Sequence, residues 1–162
     1  MARSLYDAIP ATDFRKYSYL DPDRSTYAYQ SVRGNAWLDE QPDYMSLKFR
    51  PVGGDYNTYS VGAAADIPVM RVEEMYLIEA EAVGASQNVA AGVQLLNNFM
   101  KQYRQSNYNF STGDLRNFQL EVLKQMRIEF WGEGIAFPTA KRLKPDVIQN
   151  YEGTNFIEDI FK

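Results

Sequence analysis

Glu129 and Glu133 stand four residues apart in the phrase Arg127-Ile-Glu-Phe-Trp-Gly-Glu-Gly134. On a helix that spacing puts both carboxylates on one face. Two carboxylates about 5 to 9 Å apart across a cleft, one with a raised pKa, are the machinery of glycoside hydrolysis. A second phrase, Arg71-Val-Glu-Glu-Met-Tyr-Leu-Ile-Glu-Ala-Glu-Ala82, likewise sets charge among large apolar residues. Charge that becomes buried needs a partner, and arginine forks two hydrogen bonds onto a carboxylate. Arg71, Glu74, Arg127, Glu129, Glu133 and Arg142 are therefore read first as a structural ion-pair network tying helix ends together, and only second as a hydrolytic pair. Phe130, Trp131 and Gly132 between the carboxylates favour packing over an open cleft. No catalytic residue is assigned.

Other chemistries are excluded by composition. The chain contains no histidine and no cysteine. That removes imidazole bases, histidine-dependent triads, imidazole metal sites, thiolate nucleophiles, zinc knuckles and disulfides. Asp21-Pro-Asp23-Arg-Ser25 opens like a calcium loop, but Thr26 stands where the loop needs Gly and Val32 where it needs Glu. A turn with an Asx or capping role is the better reading, and neither metal nor cofactor is expected. The net charge is −4 with no Lys/Arg-rich stripe, so nucleic acid is not an expected partner. No stretch approaches a membrane span, and the first residues lack the apolar core of a signal peptide.

Binding is better provided for than catalysis. Of 12 tyrosines, Tyr6, Tyr17, Tyr19, Tyr27, Tyr29, Tyr44, Tyr56 and Tyr59 precede residue 65. Aromatics interleaved with polar groups in loops suit a sugar, whose C–H faces stack on rings while its hydroxyls seek amides and carboxylates. Trp37, between Asn35 and Asp39, is the best candidate platform, followed by Tyr27, Tyr29 and Tyr44, with Asn35 as a hydrogen-bonding neighbour. The competing role for these rings is to glue an irregular segment onto a helical body. Met75, Tyr76, Phe99, Phe130 and Trp131 recur at helical spacing and are expected in the core.

The elements that would position these residues divide the chain in two. Residues 1–66 carry a turn signal about every ten residues, at Pro10, Asp21-Pro-Asp23, Arg33-Gly-Asn35, Gln41-Pro-Asp43 and Pro51-Val-Gly-Gly-Asp55. They are expected to form loops and turns, with one small hairpin between Thr26–Tyr29 and Tyr44–Phe49. From residue 67 the period turns helical. A helix is expected from Val69 to Val83, with Pro68 in its first turn and Gly84 ending it. Asn88 should cap a second helix whose Val89, Val93, Leu96, Met100 and Tyr103 form one apolar face. Together they make a helical hairpin about as long as one tetratricopeptide repeat. Ser111 or Thr112 should cap a third helix, with Asp114 near its positive end and Leu115, Phe118, Val122, Met126 and Phe130 on its apolar face. Gly132 and Gly134 stop it. A short helix is expected within 138–149, then a tail at 150–162. The fold class is mostly α, and 162 residues suit one domain.

The two charged phrases resemble the C-terminal part of the SusD/RagB family of nutrient-binding outer-membrane lipoproteins. The family pattern is similar to Arg71, Glu74 to Ile78 and Ala80 to Ala82, then to Arg127, Glu129 to Gly134, Phe137, Lys141 and Arg142. The likeness spans Ile67 to Leu143. It departs at Pro138-Thr-Ala140, where the family places an Asp that would accompany Lys141-Arg142. The resemblance implies a tetratricopeptide-like scaffold carrying a variable ligand-binding region, and no enzymatic activity. It implies capture of a glycan or other nutrient at the cell surface of a Bacteroidetes-type bacterium. It further implies delivery to a TonB-dependent, SusC-like transporter, with membrane association only through a lipid anchor. Family members are several times longer, so the chain is expected to be a C-terminal portion or a reduced relative. A helical protein-interaction module without glycan binding is the alternative, and a glycoside hydrolase the third reading.

Overall fold

A computed structural model describes residues 1–26, Tyr29, 36–49 and 68–146. The described residues are mostly helical and contain no strand. Among them an antiparallel bridge joins Tyr19 to Ser46. Four longer helices carry the body: α3 (Val72–Ser86), α4 (Val89–Tyr103), α5 (Leu115–Glu129) and α6 (Ala136–Leu143). Short turns precede them: α1 (Arg3–Asp7), a 3-10 turn at Phe14–Ser18 and α2 (Ala36–Asp39).

The helical hairpin forms as expected, but its glycine works differently. α3 runs through Gly84 to Ser86 instead of ending there. Gly84 is buried, and a Cβ on it would lie 2.4 Å from the Phe118 ring of α5. A Cβ on Gly92 of α4 would lie 2.6 Å from the Ala80 carbonyl oxygen and 2.7 Å from the Gly84 Cα. Both glycines are therefore spacers, letting α3, α4 and the Phe118 ring approach closely. Pro68 likewise stands outside the helix, four residues before Val72.

Caps explain the other boundaries. The Asn88 side chain accepts from Ala91 N–H at 2.8 Å and starts α4 as expected. For α5 the cap is Asp114 itself, accepting from Asn117 N–H at 2.7 Å, while Thr112 Oγ1 accepts from Asp114 N–H. A carboxylate at that point satisfies an orphan N–H and faces the positive helix end, so it outcompetes the hydroxyls of Ser111 and Thr112. After α5 the chain turns through Gly132 and Gly134, at φ +80° and +79°. α6 then starts two residues before the expected 138, with Pro138 inside its first turn. Arg116 donates to the Leu143 and Lys144 carbonyls at 2.5 and 3.2 Å, closing the C-terminal end of α6.

The main core lies among α3, α4 and α5, where Leu77, Leu96, Met100, Phe118, Val122 and Phe130 are buried together. Two smaller clusters hold the N-terminal segment. Leu5, Tyr6, Ile9 and Tyr19 pack on Ile128 of α5, and Leu20, Leu38 and Leu47 pack on one another. The segment 44–47 does pair, but with Ser18–Leu20: Leu20 N–H donates to Met45 O at 2.9 Å and Leu47 N–H to Ser18 O at 2.8 Å. Tyr27 and Ala28 of the other expected strand lie outside the described residues, as do 50–67 and the tail.

Candidate functional site

The strongest concentration of polar side chains surrounds the last turn of α5. Glu129 is buried there, its side chain 5% exposed. Its carboxylate accepts from three guanidinium groups. Arg104 donates at 2.7 and 2.9 Å, Arg15 at 3.2 Å and Arg71 at 3.2 Å. Glu133, with a side chain 0% exposed, accepts from Arg71 at 3.1 Å and from Lys48. Arg15 is forked onto Asp13 and reaches Gln125 at 2.6 Å, while Arg104 also holds Glu73 at 3.0 Å. Among the described residues, four cations (Arg15, Lys48, Arg71, Arg104) thus face four carboxylates (Asp13, Glu73, Glu129, Glu133), and their charges balance.

Each element contributes for a local reason. Arg71 is the N-cap of α3 but makes no side-chain cap; its guanidinium instead lies over the Phe130 ring at 4.8 Å. Arg104 leaves the end of α4 between Phe99 and Phe14, at 5.2 and 5.5 Å. Arg15 sits in the 3-10 turn, whose N-cap Asp13 accepts from Arg15 N–H. Burial pushes the Glu129 carboxyl up, but the hydrogen bonds and charge of Arg104, with Arg15 and Arg71 behind them, hold it below the usual carboxylate range. Arg104 is shifted the other way: burial lowers it, and Glu129 and Glu73 more than restore the cation. Tyr19 beside them is raised, chiefly by burial.

A glycosidic acid would need a proton held at neutral pH, and this carboxylate is held ionised. Of the residues expected in the network, Arg71, Glu129 and Glu133 are brought together. Arg142 is elsewhere, pairing with Glu81 at 2.7 Å. Glu74 and Arg127 enter no ion pair among the described residues. Helical periodicity turns Arg127 away from the Glu129 face, leaving it exposed. Sequence reasoning missed Asp13, Arg15, Lys48, Glu73 and Arg104. No local pattern marks them, because Arg15 and Glu129 are 114 positions apart.

The candidate ligand residues are partly placed. Tyr29 donates its hydroxyl to Asp39 and packs beside the Leu20–Leu38–Leu47 cluster. Trp37 lies on α2, next to the fully buried Leu38; only its backbone is described. Tyr44 is half-buried, its ring 4.8 Å from that of Tyr6, an arrangement that serves packing. Tyr27 and Asn35 lie outside the described residues. Asp21 is committed to an Asx turn, accepting from Ser25 and Thr26 N–H at 2.8 and 3.0 Å and from the Ser25 hydroxyl. Among rings expected in the core, Phe99 and Phe130 are buried and Trp131 half-buried, whereas Met75 and Tyr76 are exposed.

A family model described as the SusD family matches residues 11–153. The chain belongs to the SusD family. The match reaches back to include Asp13, Arg15 and Lys48, so the irregular segment and the helices that its ion pairs join are parts of one family unit. SusD family members are nutrient-binding proteins of the cell surface and are not enzymes. No curated protein and no solved structure matches the chain.

Proposed function

We propose that this chain serves noncatalytic capture of an oligosaccharide at the outer membrane surface and its delivery to a TonB-dependent, SusC-like transporter. The observation that carries this reading is membership of the SusD family over residues 11–153. The aromatic-rich first segment supports it. Loops anchored on a rigid body are where binding residues concentrate, and this segment is anchored by Arg15, Lys48 and the apolar cluster on Ile128. Trp37 and Tyr29, with Tyr27 and Asn35 between and beside them in the chain, are the proposed sugar contacts, and Tyr44 the peripheral one. In this reading a lipid anchor holds the protein at the membrane. Among the described residues no helix is long and apolar enough to cross one.

Tryptophan fluorescence and calorimetry against a panel of oligosaccharides test this. Binding that Trp37→Ala weakens, with the melting temperature unchanged, is the expected outcome. A folded protein that binds no oligosaccharide and does not co-purify with a transporter would sink the reading. Docking of a protein partner is the second reading. It is favoured by an apolar surface at the start of the hairpin, where Val69 is 88% exposed and Met70, Val72, Met75, Tyr76 and Tyr103 are open to solvent. Against it, the first-segment tyrosines are not all buried, since Tyr17 is exposed.

A further inference from the structure

The turn between α5 and α6 builds a hollow that the ion-pair network does not use. Gly132 and Gly134, both in the left-handed region, reverse the chain so that the start of α6 lies beside the end of α5. The hollow left between them measures ≈ 310 Å³ and is lined by Arg127, Phe130 and Trp131 on one side and by Ala136 and Phe137 on the other. Ala2 and Leu5 of the N-terminal segment complete its lining. That volume is at the low end of ligand pockets, which run from roughly 300 to 1,000 Å³, so it suits one ring and not a chain.

Three features give the hollow a chemical preference. Phe137 is 72% exposed, a large ring held in water at the rim. Trp131 is half-buried, fixed from behind by its edge-on contact with Tyr19 at 6.2 Å. Arg127 is exposed and, unlike the other arginines among the described residues, has no carboxylate or carbonyl partner there. A guanidinium only donates, and its fork matches a carboxylate. Aromatic faces beside it take the C–H face of a saturated ring. A planar carboxylate that takes the arginine fork and a pyranose ring small enough for this hollow meet in a uronic acid residue.

We propose that this hollow is a subsite for one uronic acid residue of an acidic saccharide, its carboxylate held by Arg127 and its ring face lying on Phe137 and Trp131. The proposal rests on the oligosaccharide-capture reading and adds to it the class of sugar.

The test measures binding of digalacturonate, of its methyl ester and of a neutral oligosaccharide panel to the full chain, by calorimetry and intrinsic fluorescence. Arg127→Gln and Phe137→Ala alter exposed side chains, and unchanged melting curves verify that both variants fold. Arg127→Gln is expected to weaken digalacturonate by about tenfold or more, the scale of one charge-assisted contact, and Phe137→Ala by about two- to tenfold, the scale of one ring contact. The methyl ester should bind the parent protein correspondingly less well. Digalacturonate binding that neither variant changes, or equal binding of the ester, overturns the subsite and leaves capture standing. So does binding of neutral sugars alone. If no saccharide of any kind binds, the subsite is overturned, and the capture reading falls with it when no transporter co-purifies.

Discussion

At the scale of single residues, Glu129 is the group on which the charge network turns. Three arginines end on its carboxylate, and its backbone carbonyl accepts from Arg71 and Lys48 at 2.9 and 2.8 Å. Replacing it with alanine leaves buried cations without a counter-charge, which costs about 3–5 kcal/mol. Urea unfolding of Glu129→Ala should show that loss as a lower midpoint with little change in slope. The pH dependence follows from the sign of the shift. A carboxyl whose folded pKa lies below its ordinary value of 4.5 contributes stability that is present above that value. The contribution is lost as pH falls through the folded pKa. Melting temperatures of the parent protein should therefore drop as pH is taken from neutrality to below the carboxylate range. In Glu129→Gln the starting stability is lower and the acid limb shallower, since one of the titrating groups is gone. An equally steep limb in that variant would show that the network's stability does not pass through Glu129.

At the scale of elements, the two helix glycines test whether close approach or helix propensity governs the hairpin. In an ordinary exposed helix, glycine to alanine gains about 1 kcal/mol. Gly92→Ala should instead destabilise, by about 1–3 kcal/mol, because the new methyl meets the Ala80 carbonyl and the Gly84 backbone, neither of which can swing aside. Gly113, in the link before α5, has nothing within 4 Å of its Cβ position and provides the control. Thermal melts of the two variants should move apart, with Gly113→Ala within a few tenths of the parent. If Gly92→Ala melts higher than the parent, the hairpin is more loosely packed than the distances state.

At the scale of the whole molecule, Arg15 and Lys48 join an irregular segment to a helical body. Arg15 is buried and bonds to Glu129 and Gln125 across more than a hundred positions of sequence. Removing it should uncouple the two parts before it unfolds either. Hydrogen exchange of Arg15→Ala is expected to show faster exchange through residues 4–20 and 44–47, while α3 and α4 keep their protection. Uniform loss of protection along the chain would mean instead that segment and body fold as one unit. Part of this was legible from residue order alone. The hairpin, the third helix and the Asn88 cap follow from local spacing, and the two charged phrases carried the resemblance to the family. The partners of Glu129 and Glu133 did not follow, since Arg15, Lys48 and Arg104 come from three separate places with no shared motif.

Local rules and distant contacts thus divide the protein between them. Helical periodicity, capping residues and two patterned phrases are properties of neighbours in sequence, and they were sufficient for the fold class and the SusD family. They misjudged Gly84, because a glycine ending a helix and a glycine receiving a ring from another helix look alike until Phe118 is in place. Nor could they separate Arg71, which joins the network, from Arg127, which faces out beside Phe137. Which way each charge points depends on how α3, α4, α5 and the N-terminal segment meet. Packing between elements remote in sequence settles that, and only the tertiary structure contains it.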